Sequence, residues 1–156
     1  MNINEFMQQK NYKKLEHNQP YTVTFTGARA KETRFGFMLA FDFDFGAGRI
    51  ESHNAHFSTR AIKTVGPDGT ATESEQVNDQ ITSFIRRLLE QTPASVQDNL
   101  SGKTNSEIIE ALTGAPFTIY PVFSTYETNG QTRHQRDFWF APKEDQQADS
   151  DEVVDF

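Results

Sequence analysis

The sequence has no cysteine among its 156 residues, which excludes disulfide frameworks, thiolate zinc sites and cysteine nucleophiles together. It has no apolar run approaching the roughly 18 residues of a membrane-spanning helix, and MNINEFMQQK lacks the charged-then-apolar layout of a signal peptide. The expected setting is a reducing one, the cytoplasm, with no membrane partner. Base is also scarce: 15 Lys and Arg face 22 Asp and Glu, for a formal net charge of -7. Such a sum argues against general attraction of a polyanion, until it is divided along the chain.

All the Lys and Arg lie within residues 1–143, where they nearly balance the acids, whereas EDQQADSDEVVDF (residues 144–156) holds six acids and no base. This segment has no periodicity and too little apolar surface to repay ordering, so it is expected to be disordered. The chain therefore divides into a domain over residues 1–142 and an acidic tail over 143–156. A purely solvating tail has no use for Val153, Val154 and Phe156. Together with Asp149, Asp151, Glu152 and Asp155 they suit a docking motif, apolar anchors for a pocket and carboxylates for its basic rim.

Within the domain, YTVTFTGARA (21–30) alternates with period two and reads as a strand. RFGFMLAFDFDF (34–45) alternates again, with Phe35, Phe37, Leu39, Phe41, Phe43 and Phe45 on one face and Asp42 and Asp44 on the other. GAG is a turn, RIESHNAHFST (49–59) a weaker third strand, and TVGPDGTATES (64–74) a loop by composition. Apolar residues from Val77 to Leu89 recur at helical spacing, and Thr104 and Glu107 have capping-box spacing before a second, shorter helix that stops near Gly114. FTIYPVFSTYE and QTRHQRDFWF are two more strands joined by Asn129-Gly130, a strong hairpin signal.

That two-residue turn fixes register, pairing 126 with 133, 124 with 135, 122 with 137 and 120 with 139 on one face. The other face carries Ile119, Pro121, Phe123, Phe138 and Phe140 and reads as core. The first face places Tyr120 beside Trp139 and Tyr126 beside Arg133, an aromatic and wet surface on which bases can stack. His134 and Arg136, with Arg29, Lys31, Arg34, Arg60, Lys63 and Arg133, are the candidates for phosphate contact. The competing reading packs Trp139 and Tyr120 beneath the helices. Pro121 donates no ladder hydrogen bond, so its strand is expected to be an edge or irregular there.

Five strands with helices between the third and fourth is the order of an oligonucleotide-binding fold, a mainly β, partly open Greek-key barrel. The tail DSDEVVDF and the element order over residues 21–140 resemble single-stranded DNA-binding proteins of bacteriophages, and PYTVTFTGARAKETRFGFMLAFDF is similar to the opening of a phage replication-associated group of them. The resemblance implies non-enzymatic, largely sequence-independent binding of single-stranded DNA in replication, recombination and repair, in the host cytoplasm. It also implies that the tail recruits replication or recombination proteins. No cofactor is implied, and oligomeric state, a homo-oligomer included, is left open.

Other motifs are weaker. SGKT (101–104) ends like a phosphate loop, but Gln97 stands where the first glycine belongs. His53 and His56 with Asp42 and Asp44 could be imagined as a metal site, yet residues three apart on a strand face opposite ways. No catalytic constellation is evident, and no metal ligand set is assigned. Two alternatives remain beside the single-strand binder: a metal-dependent nucleic-acid enzyme using those four residues, and a protein-interaction module with a solvating tail.

Overall fold

The computed structural model describes residues 3, 14–34 and 36–144. Its elements run β1 (Tyr21–Thr33), β2 (Gly36–Asp44), β3 (Ile50–Val65), β4 (Ala71–Asp79), α1 (Gln80–Glu90), α2 (Ala94–Leu100), α3 (Asn105–Leu112), β5 (Pro116–Thr128) and β6 (Gln131–Trp139). All six strands pair antiparallel in one open sheet, in the order β4-β3-β2-β1-β5-β6. The chain is mainly β, as its alternating segments predict, but it has six strands where five were expected.

The additional strand comes from a segment whose composition suggests a loop. Gly66 and Gly69 close a turn in which the Gly66 amide donates to the Thr70 carbonyl, and β-branched threonines on either side keep the chain extended. β3 consequently runs on to Val65, and β4 occupies residues assigned by sequence to loop and helix. Val77 is then a strand residue, 53% exposed, and α1 starts later, where the Asp79 carboxylate accepts from the Thr82 amide as an N-cap. The helices thus follow the fourth strand, not the third. α2 was not anticipated. α3 carries the expected capping box between Thr104 and Glu107.

The strands and helices meet in a core rich in phenylalanine. Phe25, Phe41 and Phe43 of β1 and β2 pack against Phe84 of α1 and Phe138 of β6, with Phe41 and Phe84 ring centroids 4.7 Å apart and Phe43 and Phe138 5.8 Å apart. Ile85, Leu88, Leu112, Phe117 and Ile119 belong to the same cluster. Burial of each large side chain stabilises the fold by roughly 1.5–3 kcal/mol. The greasy face of β2 is shorter than its alternation implies: Phe37 is 41% exposed and stacks on Phe57 at the margin of α1 and α3. Phe35 lies outside the described residues. At Gly36 the β3 backbone comes so close that any Cβ would collide with the Phe57 carbonyl oxygen.

The β5–β6 register is the predicted one, Tyr120 opposite Trp139 through Thr128 opposite Gln131, turning at Asn129 (φ 50°) and Gly130 (φ 74°). Its faces need correction, because β5 changes surroundings midway. It pairs with β1 only through Ile119; beyond that, the Pro121 carbonyl accepts from the Asn18 amide and the Phe123 amide donates to His17 Nδ1. Pro121 therefore sits where β5 has left β1, and its missing donor costs no ladder bond. The same bend buries Val122, assigned to the wet face, and leaves Phe123, assigned to the core, 44% exposed.

Candidate nucleic-acid interface

β3 pairs with β2 over its first half and with β4 from Phe57 onward, so the outward edge of residues 52–56 has no backbone ladder. Side chains cap this edge instead. Arg136 of β6 donates to Glu51 Oε1 (2.9 Å) and to the Ser52 carbonyl (3.0 Å), the Phe138 amide donates to His53 Nδ1 (3.1 Å), and Gln80 of α1 accepts from the His56 amide (3.1 Å). The result is a seam between β3 and β6, bridged by side chains.

His53 belongs to the seam's interior. It is buried, stacks on Phe84 at 4.1 Å, and holds Nδ1 as an acceptor, which requires the neutral ring. Burial, reinforced by the positive charges of Arg87 and Arg136, pushes its pKa down to about 3. Burial also works to raise the Glu51 carboxyl, but hydrogen bonds from Arg49 and Arg136 outweigh it and hold the group below its ordinary range.

Three adjoining depressions follow the seam. The first, about 620 Å³, lies between the β1–β2 tip and β3 and is lined by Arg34, His56, Phe57 and Arg60 among others. The second, about 410 Å³, shares His56 and is walled by Asn54, Gln80, Tyr126, His134, Gln135, Arg136 and Asp137. The third, about 240 Å³, shares Asn54, Gln80, Gln135 and Asp137 with the second and adds Arg87 and Trp139. Arg34, Arg60, Tyr126, His134, Arg136 and Trp139, six of the residues singled out by sequence, thus line one cleft. Trp139 is half-buried and has Lys143 Nζ 5.5 Å from its ring centroid. Arg136 serves chiefly as a structural bridge, with its guanidinium 5.0 Å from the Phe138 ring.

The other candidates stand apart from it. Arg29 is held by Asp42 (2.7 Å) on the outer face of the sheet, and its hydrogen bond keeps the Asp42 carboxyl below its ordinary range. Asp42 thus neutralises an arginine. Lys31 lies opposite Met38, which lies opposite His56, placing the three in one row across β1, β2 and β3. Lys63 faces Glu73 on the side of β3 opposite to Arg60. Arg133 is exposed beside Tyr126 at the hairpin end, and Tyr120, half-buried, lines none of the three depressions. Asp149, Asp151, Glu152, Val153, Val154, Asp155 and Phe156 lie outside the described residues.

Sequence reasoning passed over Asn54, Gln80 and Arg87, and weighed His56 only as an imagined metal ligand. The alternation of RIESHNAHFST was the available signal, since it puts Ser52, Asn54, His56 and Ser58 on one face. For the imagined metal site, His53 points inward and His56 outward, and Asp44 accepts from the Gly46 amide. Among the described residues no group of three or more His, Asp or Glu is placed to hold a metal ion. No helix among them is long and apolar enough to cross a membrane. Neither a family model, nor a curated protein, nor a solved structure matches the chain.

Proposed function

We propose that the chain binds single-stranded DNA without catalysis and with little sequence preference, along the seam cleft. The observation that carries this reading is the shared lining of the three depressions, which strings Arg34, Arg60, His56, Tyr126, His134 and Trp139 along one path. Cations spaced beside exposed rings suit a strand whose phosphates seek charge and whose bases seek π-faces. Among the described residues one carboxylate, Asp137, lines that path, and it accepts from Gln135 Nε2 (2.8 Å), while the nearby Asp42 and Glu51 are paired with arginines.

The fold supports the same reading at a finer level. β1, β2 and β3 form a meander, β5 returns to β1, and β6 comes beside β3 across the seam, with β4 a hairpin extension of β3. That arrangement supports reading the sheet as an opened oligonucleotide-binding barrel, an architecture in which the second and third strands carry ligand. The acidic segment 144–156 is proposed to dock replication or recombination proteins, as in the phage single-strand binders it resembles.

The test is titration of Trp139 fluorescence with oligo-dT, for intact protein and Tyr126→Ala. Intact protein should bind, and loss of the Tyr126 ring should weaken binding by about 1–3 kcal/mol. Absence of binding by intact protein refutes the proposal. Mg2+- or Mn2+-dependent cleavage of the oligomer would replace it with a nuclease.

A further inference from the structure

The β3–β4 hairpin leaves the body after the Phe57–Asp79 pair and continues to Val65–Ala71 with no buried residue on either side. A two-stranded ribbon without a core is marginal in water, so nothing within the described body accounts for its length. Its two faces differ in charge. On the face continuing Asn54, His56 and Ser58, the cross-strand pairs are Arg60–Gln76, Ile62–Ser74 and Thr64–Thr72, which contain one cation and no acid. On the reverse face Ala61–Glu75 and Lys63–Glu73 hold both of the ribbon's acids. The register thus clears carboxylates from the side continuous with the cleft.

We infer that this acid-free face is an extension of the single-strand path, and that the β3–β4 arm sets how many nucleotides the protein covers. The inference rests on the proposed single-strand binding and adds its length. Beyond Arg60, which already lines the cleft, the face runs on to Thr64 for about 13 Å, at about 3.3 Å per strand residue. A stacked strand advances about 3.4 Å per phosphate, so the arm adds up to about four nucleotides. Arg60 and the hydroxyls of Thr64, Thr72 and Ser74 contact phosphate, and Ile62 offers an apolar seat to a base. Self-pairing through the free β4 edge is the other use of such an arm. It is disfavoured because Glu73 and Glu75 would be set against their own copies, with no base in β4 to offset them.

The experiment compares affinity for oligo-dT of increasing length. Because Arg60 and Gln76 are cross-strand partners, an Asn-Gly turn joining them removes residues 61–75 without altering register. Intact protein should gain affinity with length until cleft and arm are covered. The shortened protein should match it on the shortest oligomers and plateau about four nucleotides sooner. Ser74→Glu and Thr72→Glu, which keep the arm, should each weaken binding of long oligomers several-fold, whereas Ala71→Glu on the reverse face should not. If intact protein binds no oligomer, the single-strand reading itself fails. If it binds but the plateau and the Glu variants are unchanged, the arm is not part of the path. Loss of a dimer in sedimentation, with an unchanged plateau, would make the arm a self-association element and overturn the inference.

Discussion

The β5–β6 and β3–β4 hairpins each carry nine register pairs, yet they are held by opposite means. β5–β6 is rooted: Pro121, Val122 and Phe138 at its base are buried, and Arg136 ties it to β3. β3–β4 has no such root beyond Phe57 and relies on its turn and on β-branched residues. The rooted hairpin therefore positions one wall of the cleft within the fold's cooperative unit, while the unrooted one is free to answer to a ligand.

The largest way to sharpen this comparison is truncation at the root. Phe138→Ala should destabilise the protein by about 3–5 kcal/mol in denaturant unfolding, whereas Val77→Ala on the arm should stay within about 0.5 kcal/mol. Equal effects would mean that the arm is packed in solution. Next comes the seam. Arg136→Ala removes charged hydrogen bonds to Glu51 and Ser52 and should cost about 1.5–3 kcal/mol of stability. Arg60→Ala, at an exposed residue of the cleft, should leave stability unchanged and weaken oligo-dT binding. The reverse pattern would make Arg136 a phosphate contact first and a bridge second.

A smaller effect follows from His53, whose folded pKa of about 3 lies below its ordinary 6.5. Between those values the unfolded chain binds the additional proton, so stability is full above about pH 6.5 and falls as the pH drops toward 3. The limiting slope is about 1.4 kcal/mol per pH unit. Unfolding free energies measured between pH 7.5 and 5 should show this decline in intact protein and a flatter course in His53→Gln. A decline identical in both would assign it to other groups.

What could be read from sequence divides along the same line as the two hairpins. Asn129-Gly130 has one favourable turn type, which is why every pair from Tyr120–Trp139 to Tyr126–Arg133 was predictable. The faces at Val122 and Phe123 were not, because they depend on β5 leaving β1 at Ile119, a tertiary event without local signal. β4 was illegible because both faces of its ribbon are exposed, which removes the apolar alternation that marks a strand. In the cleft, rings and arginines were found by type, while Gln80 was missed and His56 was weighed only as a metal ligand, because their place in the cleft comes from the unpaired edge of β3.

On the proposed path, phosphates follow the outer face of β3 through the seam cleft and avoid the reverse face of the arm. The salt dependence of oligo-dT affinity tests this most directly, since each phosphate contact on a single strand contributes about -0.7 to the slope of log affinity against log salt. Arg60→Ala should make the slope shallower by about 0.7, and Lys63→Ala, beside Glu73 on the reverse face, should leave it unchanged. A slope that moves as much for Lys63→Ala as for Arg60→Ala, or that moves for neither, would refute that path.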